Sequence, residues 1–256
     1  MTDGIEGALL TPLPEGGTRF LRQARLTTDR GRIGPIEPFS SREPARQLLV
    51  PGLIDTHIHL PQLRVRGRFQ DALLPWLRES IWPEEARFEA AAYRAEVADE
   101  FRTALLCSGT TAAMVWGSPH ADSALDVLEG LGPLKSWGGA VAMDRNSPPE
   151  LMQPTSELLA QARDHAGRWG SRYAVTPRFA PTCTAALMEG LAQIAHESGC
   201  MVQTHLAENL DEVAWVAELH PEARSYLDVY DRAGLLGPST ILAHCIHLDD
   251  RDLRRI

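Results

Sequence analysis

What most constrains this chain is an alternation. From about Leu49 onward, six short apolar runs are separated by longer stretches with helical spacing. The runs are LLVPGLIDTHIHL (48–60), TTAAMVWG (110–117), AVAMD (140–144), YAVTPRF (173–179), CMVQTHLAEN (200–209) and TILAHCIHL (240–248). Short apolar runs bounded by polar turns suit strands buried on both faces. The stretches predicted as helical cover 83–107, 121–131, 154–169, 184–199, 211–220 and 225–236. Glu84 and Glu85 fall in the first turn of the first, where the helix dipole favours anions. Gly199 follows the fourth and reads as its stop. Strand–helix alternation implies parallel pairing through right-handed crossovers. The expected fold is therefore α/β, either an incomplete (β/α)8 TIM-type barrel of about six units or an open doubly wound sheet. No strand is followed by GxGxxG or by GxxxxGK with Ser or Thr, so the usual signature of a nucleotide-binding doubly wound fold is missing.

Residues 1–49 read differently. Glycine and proline recur, among them Gly16, Gly17, Gly31, Gly34, Pro35 and Pro38, and periodicity is weak. Short strands are expected only near Phe20–Leu26 and Leu48–Val50. The predicted division is a small irregular β region over 1–49 and a partial barrel over 50–256. Lys and Arg number 25 against 34 Asp and Glu, a net charge of −9. That sign does not suit a nucleic-acid binder. No apolar run reaches the roughly 18 residues of a membrane span. The N-terminus MTDGIEGALL lacks the basic and apolar parts of a secretory signal. Cys107, Cys183, Cys200 and Cys245 are far apart and form no CxxC, so a reducing, cytoplasmic setting is expected.

Histidines mark the ends of three of the apolar runs. His57 and His59 are two apart, so on a strand both side chains leave from one face and can converge on one ion. His205 and His244 end two later strands, and in a parallel barrel such ends gather at one mouth. Imidazole suits Zn²⁺ or Fe²⁺. Taken singly, each histidine has an ordinary structural explanation; it is the combination that points to a metal. Glu208, three residues past His205, is placed either to shuttle a proton or to start the next helix with Asn209. Arg178 and Phe179 end the fourth strand; they suit a flat heterocycle, or equally a salt bridge and a core aromatic. Gln62 can donate and accept. His120, His165, His196, His220 and His247 read as surface or loop residues. His220-Pro221-Glu222 mimics the HxE of another zinc deaminase fold, but the PCxxC that fold needs is absent.

The motif PGLIDTHIHLPQ resembles the first-strand signature of the metal-dependent amidohydrolase superfamily. Within it, LPWLRESIWPEEARF, VAMDRN, VTPRFAPTC, QTHLAENLDEV and YLDVYDRAGLLGPSTILAHCIHL are similar to the guanine deaminase branch, over about 50–248. The resemblance implies that His57, His59 and His205 ligate zinc (Fe²⁺ is the alternative). It implies that His244 lies beside the metal or its water, that Glu208 shuttles the proton, and that Gln62, Arg178 and Phe179 bind a purine with His59, His205 and Glu208. The reaction implied is hydrolysis of guanine to xanthine and ammonia by a cytoplasmic homodimer with no nucleic-acid or membrane partner. Other heterocycles of the superfamily remain open here: adenosine, cytosine or triazine derivatives. So does a catalytically dead fragment or binding module. The superfamily's aspartate at the eighth strand and its HCPxSN-like stretch are not found up to Ile256, so these 256 residues are expected to bind zinc weakly and deaminate slowly.

Overall fold

The computed structural model describes residues 4–120, 129 and 134–256. It divides into two units, Met1–Leu53 and Ile54–Ile256. Among the described residues no helix is long and apolar enough to cross a membrane.

The first unit is a four-stranded sheet in the order β3-β2-β1-β4, formed by β1 (Gly4–Pro12), β2 (Thr18–Asp29), β3 (Arg32–Pro38) and β4 (Leu48–Leu49). β1 and β2 pair antiparallel, as do β2 and β3, whereas β4 runs parallel to β1. The β2–β3 connection is a two-residue turn, Arg30–Gly31, with φ of 47° and 76°. Two positive φ values in succession give the turn whose twist matches the flanking strands. The strands are longer and more regular than expected. Their apolar period is faint because Leu9 and Ala24 are the buried apolar side chains of this sheet among the described residues, and the register shifts at Gly7/Leu9 and Leu26/Thr28.

The second unit carries the alternation. Its strands are β5 (Leu53–His59), β6 (Thr110–Trp116), β7 (Lys135–Gly139), β8 (Val141–Ala142), β9 (Ala174–Pro177), β10 (Met201–Leu206) and β11 (Thr240–His244). They form the neighbour orders β5-β6-β7 and β8-β9-β10-β11. β6–β7, β8–β9, β9–β10 and β10–β11 pair in parallel. β7 and β8 are halves of one strand broken at Ala140, and a bridge from Gly138 to Tyr173 joins the two sheets. The result is six consecutive strand positions of a parallel βα barrel.

Helices cover the strands. α1 (Leu73–Trp76) and α2 (Trp82–Ala86) are joined by a π turn; α3 (Ala91–Cys107), α4 (Thr155–Trp169), α5 (Ala185–Ser198), α6 (Leu210–Leu219), α7 (Tyr226–Arg232) and α8 (Asp250–Arg255) follow. In α4 the buried positions are Leu158, Ala162, His165 and Ala166, the stripe of an amphipathic helix. It packs with Leu187, Leu191 and Ile194 of α5 over Val175 and Val202 of the strands. Thr184 caps α5 and Gly199, at φ 67°, ends it. The single helix expected over 83–107 is instead broken at Ala90, which is extended. Buried Arg94 donates to the carbonyls of Phe88 and Glu89 at 2.8 and 2.9 Å, satisfying the break. The helix expected over 121–131 lies, apart from residue 129, outside the described residues.

The third strand begins at Lys135, earlier than its apolar run predicts. Its first half, KSWGG, hides the strand behind two glycines that are there for space. A Cβ on Gly138 would sit 2.1 Å from the Val115 carbonyl oxygen, and one on Gly139 2.1 Å from that of Ala174. Gly138→Ala is therefore expected to lower unfolding stability by about 1–3 kcal/mol. Gly167→Ala in α4, where an added Cβ would meet no described residue within 4 Å, is expected to raise it by about 0.5–1 kcal/mol. Urea midpoints of the two variants check both signs.

Candidate active site

The ends of β5, β10 and β11 bring four imidazoles together. His57 and His59 leave one face of β5 as their spacing requires, with ring centroids 5.0 Å apart. The His57 ring lies 5.0 Å from both His205 and His244. The β10–β11 register pairs His205 with Ala243 and Leu206 with His244. On a regular strand that would send His244 to the face opposite His205. His244 instead adopts φ 74°, followed by Cys245 at 56°, and its ring stacks 5.4 Å from that of His205. Left-handed backbone at non-glycine residues costs about 1–3 kcal/mol each and collects at functional sites. Trp116, the last residue of β6, is fully buried beneath the cluster, 4.9 Å from His59 and 4.1 Å from His205.

The protonation pattern follows from the partners. His205 Nδ1 lies 2.7 Å from the Arg178 carbonyl oxygen. A carbonyl only accepts, so Nδ1 carries the hydrogen and Nε2 presents its lone pair to the cluster. His59 Nε2 approaches that atom at 3.1 Å, a distance two lone pairs tolerate only with a proton or a cation between them. Burial, then the neighbouring His244, lowers the His57 pKa to about 4. Burial also holds His59 and His205 well below the ordinary imidazole range, reinforced at His59 by His205 and at His205 by His57. Four neutral imidazoles therefore face one another. The buried Nδ1 atoms of His57 and His59 have no hydrogen-bond partner among the described residues. Among the described residues, His57, His205 and His244 have ligand atoms all within 4.8 Å of one another. This donor set fits a divalent cation such as Zn²⁺ or Fe²⁺. The trio differs from the expected His57, His59 and His205 in holding His244, while His59 touches it through His205.

A cavity of about 390 Å³ opens beside the cluster, in the range of small-molecule sites. Gln62, Arg178, Phe179 and Glu208 line it, with Trp76 and Leu73 of α1. Glu208 Oε2 lies 3.4 Å from His244 Nε2. Burial first, then the charge of Glu212, raises its pKa to about 7. Of its two expected roles the helix start falls to Asn209, which caps α6 in a capping box with Glu212. Arg178 sits at the exit of β9, buried, and its Nη1 donates to both oxygens of Glu85 at 2.8 and 2.6 Å. Glu85 is itself fully buried in α2. Burial raises its pKa, and Arg178 opposes the rise. Phe179 is buried against Trp215, with rings 6.3 Å apart. Behind it the loop is pinned: Arg145 donates to the Ala180 carbonyl at 2.8 Å and Asn146 to that of Pro181.

Two histidines read as surface or loop residues are buried. His165 faces Tyr173 at 5.5 Å, and His220 accepts from Arg145 Nη2 at 2.9 Å. Neither lines the cavity. Residues missed by sequence reasoning are Glu85, taken only as a helix-start acid, and Trp116. Their contacts are tertiary, and no local pattern announces them.

Comparison with known proteins fits this geometry. The model of the Amidohydrolase family matches residues 48–256. The chain is 38% identical over 217 residues to guanine deaminase of Escherichia coli (strain K12), covering 82% of this chain and 49% of that protein. It is 34% identical over 220 residues to guanine deaminase of Dictyostelium discoideum, covering 82% and 49%. The chain thus spans about half the length of the curated relatives it matches. Its fold is similar to that of guanine deaminase from C. acetobutylicum with bound guanine in the active site, at TM-score 0.88 and 28% identity over 99% of this chain and 65% of that one.

Removing one imidazole from the cluster should weaken metal uptake selectively. In titrations of metal-free protein with Zn²⁺, His205→Asn is expected to raise the dissociation constant at least about tenfold. His196→Asn, on the exposed side of α5, is expected to leave it unchanged.

Proposed function

The chain belongs to the amidohydrolase family, and from that membership we propose that it hydrolyses guanine to xanthine and ammonia, with zinc as its metal. The observation that carries the proposal is the meeting, on one cavity, of the imidazole cluster, a carboxyl group whose pKa is raised to about 7 and a buried Arg178–Phe179 pair. The guanine deaminases of known sequence and structure that it resembles support the choice of substrate.

His57, His205 and His244, with His59 beside them, would hold the cation. When bound, such a cation acts as a Lewis acid that brings the pKa of water near neutrality. The cavity residues do the rest. Arg178 presents N–H donors to the carbonyl edge of the ring, Gln62 donates and accepts at a neighbouring edge, and Phe179 offers an apolar wall. Together they turn the amino-bearing carbon toward the cluster; such orientation lowers a barrier by several kcal/mol in favourable cases. Water adds to that carbon. Glu208, near half-protonated at neutral pH, takes the water proton and delivers it to the adjacent ring nitrogen. The added hydroxyl then gives up its proton, which passes by way of Glu208 to the amino group; the carbon–nitrogen bond breaks, the carbonyl forms and ammonia leaves.

Ammonia release from guanine, beside adenine, cytosine and a triazine, tests the reading. Guanine is expected to react preferentially. Glu208→Gln is expected to slow turnover by about 10²–10⁴-fold while zinc content stays unchanged. A Glu208→Gln rate near that of the parent removes the shuttle, and preference for another heterocycle removes the substrate.

A further inference from the structure

Taking the cavity as the purine site proposed above, we infer that Glu85 is a positioning residue that sets charge selectivity: by cancelling the Arg178 guanidinium, it makes the cavity select neutral carbonyl-bearing heterocycles over anionic ones.

An arginine lining an apolar cavity ordinarily recruits an anion, because a planar guanidinium fork matches a carboxylate or phosphate. Here an internal anion already occupies that role. Glu85 reaches Arg178 from α2 across 93 residues of sequence, and both side chains are buried, at 0% and 3% exposure. Of the five N–H groups of a guanidinium, Glu85 engages those on Nη1, through both of its oxygens. The remaining fork edge can still serve a ligand carbonyl, but the pair carries no net charge. The imidazole cluster, with the cation it would hold, faces the reacting edge of whichever ring binds, so the charge met by the carbonyl edge is set by the Arg178–Glu85 pair. Arg66 also lines the cavity, but it is exposed, where water and salt screen its charge, and it donates to the Leu63 carbonyl at 3.0 Å. An anionic ring entering such a site loses its hydration and finds no unpaired guanidinium at its carbonyl edge to compensate. A neutral oxo-purine loses far less and keeps the directional hydrogen bond. Glu85 also locks the guanidinium in one orientation, fixing which ring edge it meets.

The experiment compares equilibrium binding of guanine with that of urate, a purine that is a monoanion at neutral pH. The parent protein is expected to favour guanine. In Glu85→Gln, which keeps shape and removes charge, the guanine-to-urate affinity ratio is expected to fall by at least about tenfold. Glu85→Asp is expected to restore most of it. Melting curves accompany each titration. An unchanged ratio in folded Glu85→Gln overturns the inference, as does a parent protein that binds urate as tightly as guanine. Should Glu85→Gln fail to fold, the parent ratio decides in the same two directions. A parent protein that binds neither purine overturns the purine reading itself, and this inference with it.

Discussion

Everything at this site depends on parallel strands delivering imidazoles to one place. Parallel pairing sends the ends of β5, β10 and β11 to the same side, and the two-residue spacing of His57 and His59 puts both on one face. Among the described residues, two nitrogens of these closely packed imidazoles, Nδ1 of His57 and of His59, lack hydrogen-bond partners, and a buried polar atom without a partner is costly. The strain at His244 adds to that cost. A shared cation offsets both, since it satisfies the lone pairs that the backbone has gathered. Trp116 supplies the rigid floor that keeps the rings at these distances.

The site has a second fixed point, and the two are linked. Arg178 turns its side chain to Glu85 and the cavity, while its backbone carbonyl holds His205 Nδ1. One residue therefore orients both an imidazole of the cluster and the polar wall of the cavity. The loop that follows is fixed by Arg145, Asn146 and Asp144; the last accepts from the Thr184 backbone at 2.7 Å. The expected membership of VAMDRN in the family pattern thus has a physical basis: these residues brace the segment that carries Arg178 and Phe179 and do not touch the cavity.

Much of this was legible in the chain, and the failures have physical causes. Six strand positions followed from apolar runs because strands covered on both faces must be apolar throughout. The third started early because Gly138 and Gly139 answer to space between neighbouring strands, which hydropathy does not register. The first sheet looked irregular because most of its surface is solvated. The four histidines stood at strand exits, so their convergence was readable. Which three lie within 4.8 Å depends on a positive φ at His244 that no residue type signals. Arg178 was expected either to pair or to serve the cavity, and it does the first while lining the second. Its partner was invisible, since nothing local connects Glu85 with a residue 93 positions away.

The central claim is that imidazoles from different strands share one cation. X-ray absorption at the zinc edge of zinc-loaded protein addresses it directly. The account predicts nitrogen ligation with the outer-shell scattering of at least three imidazoles, matching His57, His205 and His244. A first shell dominated by sulfur or carboxylate oxygen, or one with a single imidazole, would contradict it.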